Sequence, residues 1–260
     1  MAFINLSDVT FSYRPDSVTG PEIEGVNLSI DKGEFTVLVG PSGCGKSSIL
    51  NLLAGFIHPS EGEVTVDGAR VEEPKPERGM VFQSVDAPLF SWLTTRQNIT
   101  FGLRTTREER DRIADLYMRM VHLNGAEDKY PSELSGGMKQ RVQLARIWAM
   151  DPVVLLMDEP FANLDAITKE TMVKELQELW VRTRKNIVYV THSIEEAVVL
   201  GQRVCIMTGG PRARIKKEVM IPLEYPRDNL SPEVVRLMRD LRQDIADEVE
   251  NTAQRWRAQA

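Results

Sequence analysis

The chain has 260 residues, with 32 Lys and Arg against 38 Asp and Glu, for a formal net charge of −6. Hydrophobic residues make up 42% and charged ones 27%, which excludes disorder as the main state and allows one large domain or two small ones. The longest strictly apolar run, Val153 to Met157, is far short of the ~18–20 residues of a membrane span, and the acidic balance gives no support for a nucleic-acid partner.

Phe3 to Tyr13 and Gly25 to Ile30 alternate apolar and polar residues, the period of half-buried strands. The start lacks the basic and apolar regions of a signal peptide. Phe35 to Val39 is short, apolar and β-branched, and reads as a buried strand, with a helix from Ser48 to Ala54 after it. Glu63 to Val71 reads as a hairpin turning at Asp67-Gly68. From about Ser84 to Ala149 the pattern is helical. One charged helix opens at Arg107 with Ile113, Leu116, Met120 and Val121 as its apolar positions, and a second opens near Gly136 and runs through Trp148. Val153 to Met157 is a strand, and Leu164 to Arg182 a helix with Ile167, Met172, Leu176, Leu179 and Trp180 on one face. Asn186 to Thr191 (strand), Ile194 to Leu200 (helix) and Arg203 to Met207 (strand) follow. This β-α-β-α order implies a mainly parallel sheet covered by helices, with the middle helices as an inserted subdomain. Ser231-Pro232-Glu233 starts a tail helix carrying Val234, Leu237, Met238, Leu241, Ile245 and Val249, which packs on its own domain or serves a dimer or regulatory contact.

Gly40, Pro41, Ser42, Gly43, Cys44, Gly45, Lys46 and Ser47 fit the phosphate-loop pattern G-x-x-x-x-G-K-[ST], after a strand and before a helix as it requires. Glycines let backbone N–H groups turn inward, the helix N-terminus adds positive potential, Lys46 neutralises phosphate charge, and Ser47 offers a hydroxyl to Mg²⁺. Ser48, at the head of the helix, is counted with these binding residues. Cys44 reads as a small loop residue, and with Cys205 forms no metal or redox motif, which fits a reducing cytosol. The strand Val154 to Met157 ends in Asp158 and Glu159. Alone, two acids would be an ordinary strand cap. Beside a phosphate loop, Asp158 becomes a candidate Mg²⁺ ligand, and Glu159 the base that polarises an attacking water. Ser135, Gly136 and Gly137 form a small turn opening a helix, a second anion-binding N-terminus. One chain already has one phosphate loop, so the simplest use of the second turn is to cap the nucleotide of another molecule.

With Leu134-Ser135-Gly136-Gly137-Met138-Lys139-Gln140 added, the chain resembles the ATP-binding cassette (ABC) family, the ATPase subunits of ABC transporters, over about residues 3 to 223. The resemblance implies a P-loop NTPase. Its mainly parallel sheet is flanked by helices, with an N-terminal antiparallel β subdomain and a helical subdomain inserted at about 84–150. The cassette would span 1–230 and the helical tail 231–260. It also implies roles by position. Tyr13 resembles the aromatic that stacks on adenine. Gln83, after Met80-Val81-Phe82, resembles the Q-loop glutamine that touches Mg²⁺ and the attacking water. Asp165 resembles the D-loop aspartate at a dimer interface, although Ala162-Asn163 stand where the family commonly has Ser-Ala, which puts those two contacts in doubt. His192 resembles the switch histidine that contacts the γ-phosphate.

The chain is also similar to the nitrate, sulfonate, taurine and bicarbonate uptake ATPases, through Tyr130-Pro131-Ser132-Glu133, Asp158-Glu159-Pro160-Phe161 and Gly209 to Ile215. That likeness implies an importer motor at the cytoplasmic face of the inner membrane. Two cassettes close head-to-tail on ATP and Mg²⁺ and drive separate permease subunits, fed by a solute-binding protein. The expected permease dock is the groove near Gln83 to Thr94, where Pro88 to Leu93 is an unusually apolar stretch, with burial inside the subdomain as the alternative. A cassette of DNA repair or translation is disfavoured, since the first commonly carries long coiled-coil insertions and the second two cassettes. A simple phosphotransferase has no use for Leu134 to Gln140.

Overall fold

The computed structural model describes residues 2–14, 20–83 and 89–259. Ser84 and Pro88 lie outside the described residues, as does the side chain of Val249. The chain divides into two compact units, Met1–Lys75 with Gln177–Ala260, and Pro76–Leu176.

In the first unit, β1 (Ile4–Phe11) pairs antiparallel with β2 (Ile23–Ile30) and β4 (Glu61–Val66), which continues through a turn at Asp67-Gly68 into β5 (Ala69–Arg70). This is the expected N-terminal antiparallel sheet. A second sheet centres on β3 (Phe35–Val39), hydrogen-bonded in parallel to β8 (Asn186–Val190) and β9 (Arg203–Met207), with Val37 opposite both Tyr189 and Val204. All five residues of β3 are buried, as a strand covered on both faces requires. Helix α1 (Lys46–Ala54) follows β3, and α6 (Ile194–Leu200) packs against it. Phe35, Trp180, Tyr189 and Tyr225 form an aromatic centre with ring separations of 4.8 to 6.0 Å.

Strand β10 (Ile215–Met220), unforeseen from sequence, pairs antiparallel with β9. It is largely exposed, and Lys216 and Lys217 guard its edge, so no alternating apolar signal marks it. The tail helix α7 (Pro232–Gln259) buries Val234, Leu241 and Glu248 at heptad spacing. Glu248 holds it down by an ion pair to Lys216 at 2.8 Å and by accepting the Gly209 N–H at 3.3 Å.

In the second unit, β6 (Arg78–Val81) and β7 (Val154–Asp158) pair in parallel. Helices α2 (Thr95–Thr100), α3 (Arg107–Met120) and α4 (Gly136–Ala149) pack on one another, and α5 (Ala166–Thr183) begins here. Helix α2 was not foreseen, although Thr94 and Gln97 make a complete capping box. Two expected core positions are corrected. Leu116 is exposed, because α3 packs through Ala114 and Met118 and a residue two places on faces away. Ile167 is 80% exposed. It stands nine residues before Leu176, about half a turn off the buried face of α5 at about 100° per residue. Among the described residues no helix is long and apolar enough to cross a membrane.

Candidate nucleotide site

The phosphate loop begins where β3 ends. Gly45 has φ 82°, and a Cβ there would lie 2.4 Å from Ile23 Cγ2, so conformation and space both demand glycine. Gly45 is also the N-cap of α1 and offers no side-chain cap, and the first turn holds no acid. The amide end of the helix is thus available to an anion. Lys46 is buried, and its Nζ donates to the carbonyls of Gly40 at 2.8 Å and Pro41 at 2.9 Å and approaches Cys44 Sγ at 3.5 Å. The ammonium therefore lies folded across its own loop, where phosphate oxygens can exchange with carbonyl oxygens. Ser42, Gly43 and Ser47 are exposed at the loop, whereas Ser48 is buried at the head of the helix. Burial pushes the Cys44 thiol above its ordinary range, against the opposing pull of Lys46, which agrees with an inert loop residue.

Tyr13 is exposed at the end of the N-terminal sheet, its ring edge-on to Phe11 at 4.7 Å. Its N–H donates to Glu22 Oε2 at 2.9 Å, a support that sequence reasoning missed. His192 is exposed on the turn between β8 and α6.

The second unit brings together Gln83 and Glu159. Gln83 Nε2 donates to Glu159 Oε2 at 3.1 Å. This leaves Gln83 Oε1 as the end able to meet a cation. Asp158 ends β7, half-buried, and Glu159 follows with φ 45°, a conformation rare for a residue bearing a side chain. Gln143 was missed from sequence; its Oε1 accepts the Phe82 N–H at 2.7 Å and so fixes the residue before Gln83. Asn163 Nδ2 donates to the Gln83 carbonyl at 3.3 Å, so the residue that departs from the family pattern braces Gln83 within its own chain.

Ser135 is the N-cap of α4, its hydroxyl accepting the Met138 N–H at 3.3 Å. A Cβ on Gly136 would meet nothing within 4 Å, whereas one on Gly137 would touch Leu164 at 3.4 Å. Asp165 Oδ1 accepts the Thr168 N–H at 3.0 Å, and hydrogen bonding to Thr168 holds its carboxyl below the usual range. Phe90 packs with tilted rings against Phe101 at 4.2 Å and Trp92 at 5.4 Å. Leu89 is buried, but Trp92 is 70% exposed.

The family model described as ABC transporter matches residues 23–162. A nitrate import ATP-binding protein of Synechococcus elongatus is 44% identical over 211 residues, which cover 79% of this chain and 76% of that protein. The chain belongs to the ABC transporter family. A taurine import ATP-binding protein of Roseobacter denitrificans is also 44% identical, over 203 residues covering 77% of this chain and 75% of its own length. Among solved structures, a dimeric bacterial ABC transporter cassette superposes with a TM-score of 0.76 at 31% identity, covering 85% of this chain and all of that one. The likeness to import ATPases is thereby borne out, and so is the cassette fold. The chain is an ABC ATPase, and ATP hydrolysis is its activity.

Proposed function

We propose that this ABC ATPase powers an importer, closing with a second cassette on ATP and driving separate permease subunits at the cytoplasmic face of the membrane. The observation that carries the coupling is the aromatic cluster of the second unit. Trp92 and Phe101 are exposed around Phe90 in the same unit as Gln83, and the exposed Phe82 is next to Gln83 in the chain. Exposed aromatics of this kind suit a protein partner. The likeness to nitrate and taurine import proteins supports small anions or organic solutes as cargo, delivered by a solute-binding protein.

In the proposed cycle Lys46 and the loop amides from Gly40 to Ser48 bind the phosphates, and Tyr13 takes the adenine. Ser135, Gly136 and Gly137 cap the nucleotide of the partner cassette, with Asp165 at that interface. Ser47, Gln83 and Asp158 would hold Mg²⁺, and the fit is supported by their chemistry. A hydroxyl, an amide oxygen and a carboxylate are hard oxygen donors of the kind Mg²⁺ takes. When bound, the metal would neutralise charge on the β- and γ-phosphates. Glu159 takes the proton of the attacking water, Gln83 orients that water, and His192 donates to the γ-phosphate. ATP drives closure only through its greater affinity for the closed pair.

The test is co-purification with candidate permease subunits in lipid, followed by ATPase assay with nitrate- or taurine-type solutes and their binding protein. Solute-stimulated hydrolysis is expected. Hydrolysis that proceeds at one rate with or without permease and solute would refute the importer reading.

A further inference from the structure

His192 is exposed, but its flanks are tied down. Thr191 is 2% exposed and Glu196 4%. Helix α6 opens with Ser193 as N-cap and Glu196 three places on, the sequence form of a capping box. In a complete box the acid reaches back to the N–H of the capping serine. Here the forward bond forms, with Ser193 Oγ accepting the Glu196 N–H at 3.3 Å. A relay through a third residue also links Glu196 back to Ser193. Ser193 N–H donates to Thr191 Oγ1 at 2.9 Å, and Thr191 Oγ1 donates in turn to Glu196 Oε2 at 2.6 Å. Tyr189 OH donates to the same carboxylate oxygen at 2.7 Å.

The insertion of the Thr191 hydroxyl has a consequence for the residue it spans. A hydroxyl has one proton, and the acceptor-only carboxylate fixes its direction. Its lone pair is then aimed at the Ser193 N–H, so the residues before and after His192 are bonded to each other across it. Thr191 N–H also donates to Leu38 O at 3.3 Å, beside the strand that feeds the phosphate loop. The turn is pinned to the central strand at one side and to a buried anion at the other.

We propose that Thr191 and Glu196 are positioning residues for His192. The buried carboxylate orients the threonine hydroxyl, and that hydroxyl holds the turn from which the imidazole is presented to the γ-phosphate. The catalytic consequence rests on the reading of His192 as the phosphate contact, and the experiment separates the two.

Full-length protein labelled at the histidine rings contains only three histidines, His58, His122 and His192. Loss of one signal in His192→Ala assigns its resonance. In Thr191→Val, which keeps the side-chain shape and removes the link, the His192 signal should move while those of His58 and His122 stay. Thr191→Ser should restore it. The kcat for ATP should fall about 10- to 100-fold in Thr191→Val with KM little changed, as for a misplaced reacting group, and recover in Thr191→Ser. Val204→Ala, which thins the core on β9, supplies a loss of thermal stability without these effects. An unmoved His192 signal in Thr191→Val overturns the proposal. So does an unchanged kcat in Thr191→Val when His192→Ala abolishes turnover. Normal turnover in His192→Ala with a moved signal in Thr191→Val instead overturns the phosphate reading and leaves the positioning intact.

Discussion

The Arg227 side chain donates five hydrogen bonds within the first unit, and replacing it by methionine should cost more than any surface change. Its Nη1 donates to Val198 O at 2.7 Å and Gly201 O at 2.6 Å, its Nη2 to Ile221 O at 3.2 Å and Leu223 O at 2.8 Å, and its Nε to Leu223 O at 3.0 Å. The guanidinium also stacks on the Tyr225 ring at 4.0 Å. Val198 and Gly201 lie at the C-terminal end of α6, where helix carbonyls lack intrahelical donors and a cation is favoured. Methionine fills much of the volume but donates nothing, so four carbonyls lose a donor at about 1–3 kcal/mol each. Against that gross loss of about 4–12 kcal/mol stands the several kcal/mol no longer needed to bury a cation. The net is a destabilisation of about 3–5 kcal/mol. At about 2–4 °C per kcal/mol for a chain of this size, the thermal midpoint should fall by about 6–20 °C.

Calorimetry on parent, Arg227→Met and Arg227→Lys measures this directly. Lysine keeps the charge but cannot spread donors in a plane over four carbonyls, so it should fall between the other two. A methionine variant melting within about 2 °C of the parent would show that water or backbone rearrangement satisfies these carbonyls, and would refute the reasoning.

Glu159→Gln keeps an acceptor for Gln83 Nε2 but removes the proton-accepting anion, so steady-state hydrolysis should fall about 10²- to 10⁴-fold while nucleotide still binds; parental turnover in a coupled-enzyme assay would exclude Glu159 as the base. Cys44 and Cys205 are both buried with thiol pKa values raised above the ordinary range, by burial first in each case. Neither should react with a thiol reagent at neutral pH until the protein is denatured, which absorbance titration reads. At Glu248 burial alone would raise the pKa, but the Lys216 bond and the Gly209 N–H outweigh it and the carboxyl titrates below its usual value. Its folded pKa is depressed, so its stabilisation is present above about pH 4.3 and is lost as pH falls through the folded value. Melting temperatures across that range should drop more steeply in the parent than in Glu248→Gln, and parallel profiles would contradict the assignment.

The parts legible in the sequence were those whose signals are local. The phosphate loop, the acids after β7, and strands β3, β8 and β9 are runs in which each residue's type follows from its own neighbours. The elements missed had weak local signals or none. Strand β10 is charged and mostly exposed, and exists because β9 needs an edge partner. Helix α2 has six residues, too few to show a period, and depends on its capping box. Ile167 looked like core because it is apolar, yet the period of α5 puts it on the outer face. The supports around the site were harder still. Glu22, Gln143, Asn163 and Glu196 act on residues they meet only after folding, apart from Glu196, whose place three after Ser193 announces a cap but not the relay through Thr191.

Glu159 shows how such supports bear on chemistry. It precedes Pro160, and a residue before proline is ordinarily driven to extended backbone, yet it holds φ 45°. A non-glycine residue in that region costs on the order of 1–3 kcal/mol and persists only where its surroundings determine it. Here the determinants are visible on both sides. Phe161 is buried and the Glu159 carbonyl accepts the Ala162 N–H at 3.1 Å, so the chain beyond is anchored, while β7 fixes the chain before it. The side chain that results is bonded to Gln83, which is itself held by Asn163 and follows a residue held by Gln143. On the proposed reading of Glu159 as the base, a flexible acid at a strand end would spend most of its time away from the water. Strained backbone, braced by three amide side chains, gives this carboxylate the fixed direction that the proposed role requires.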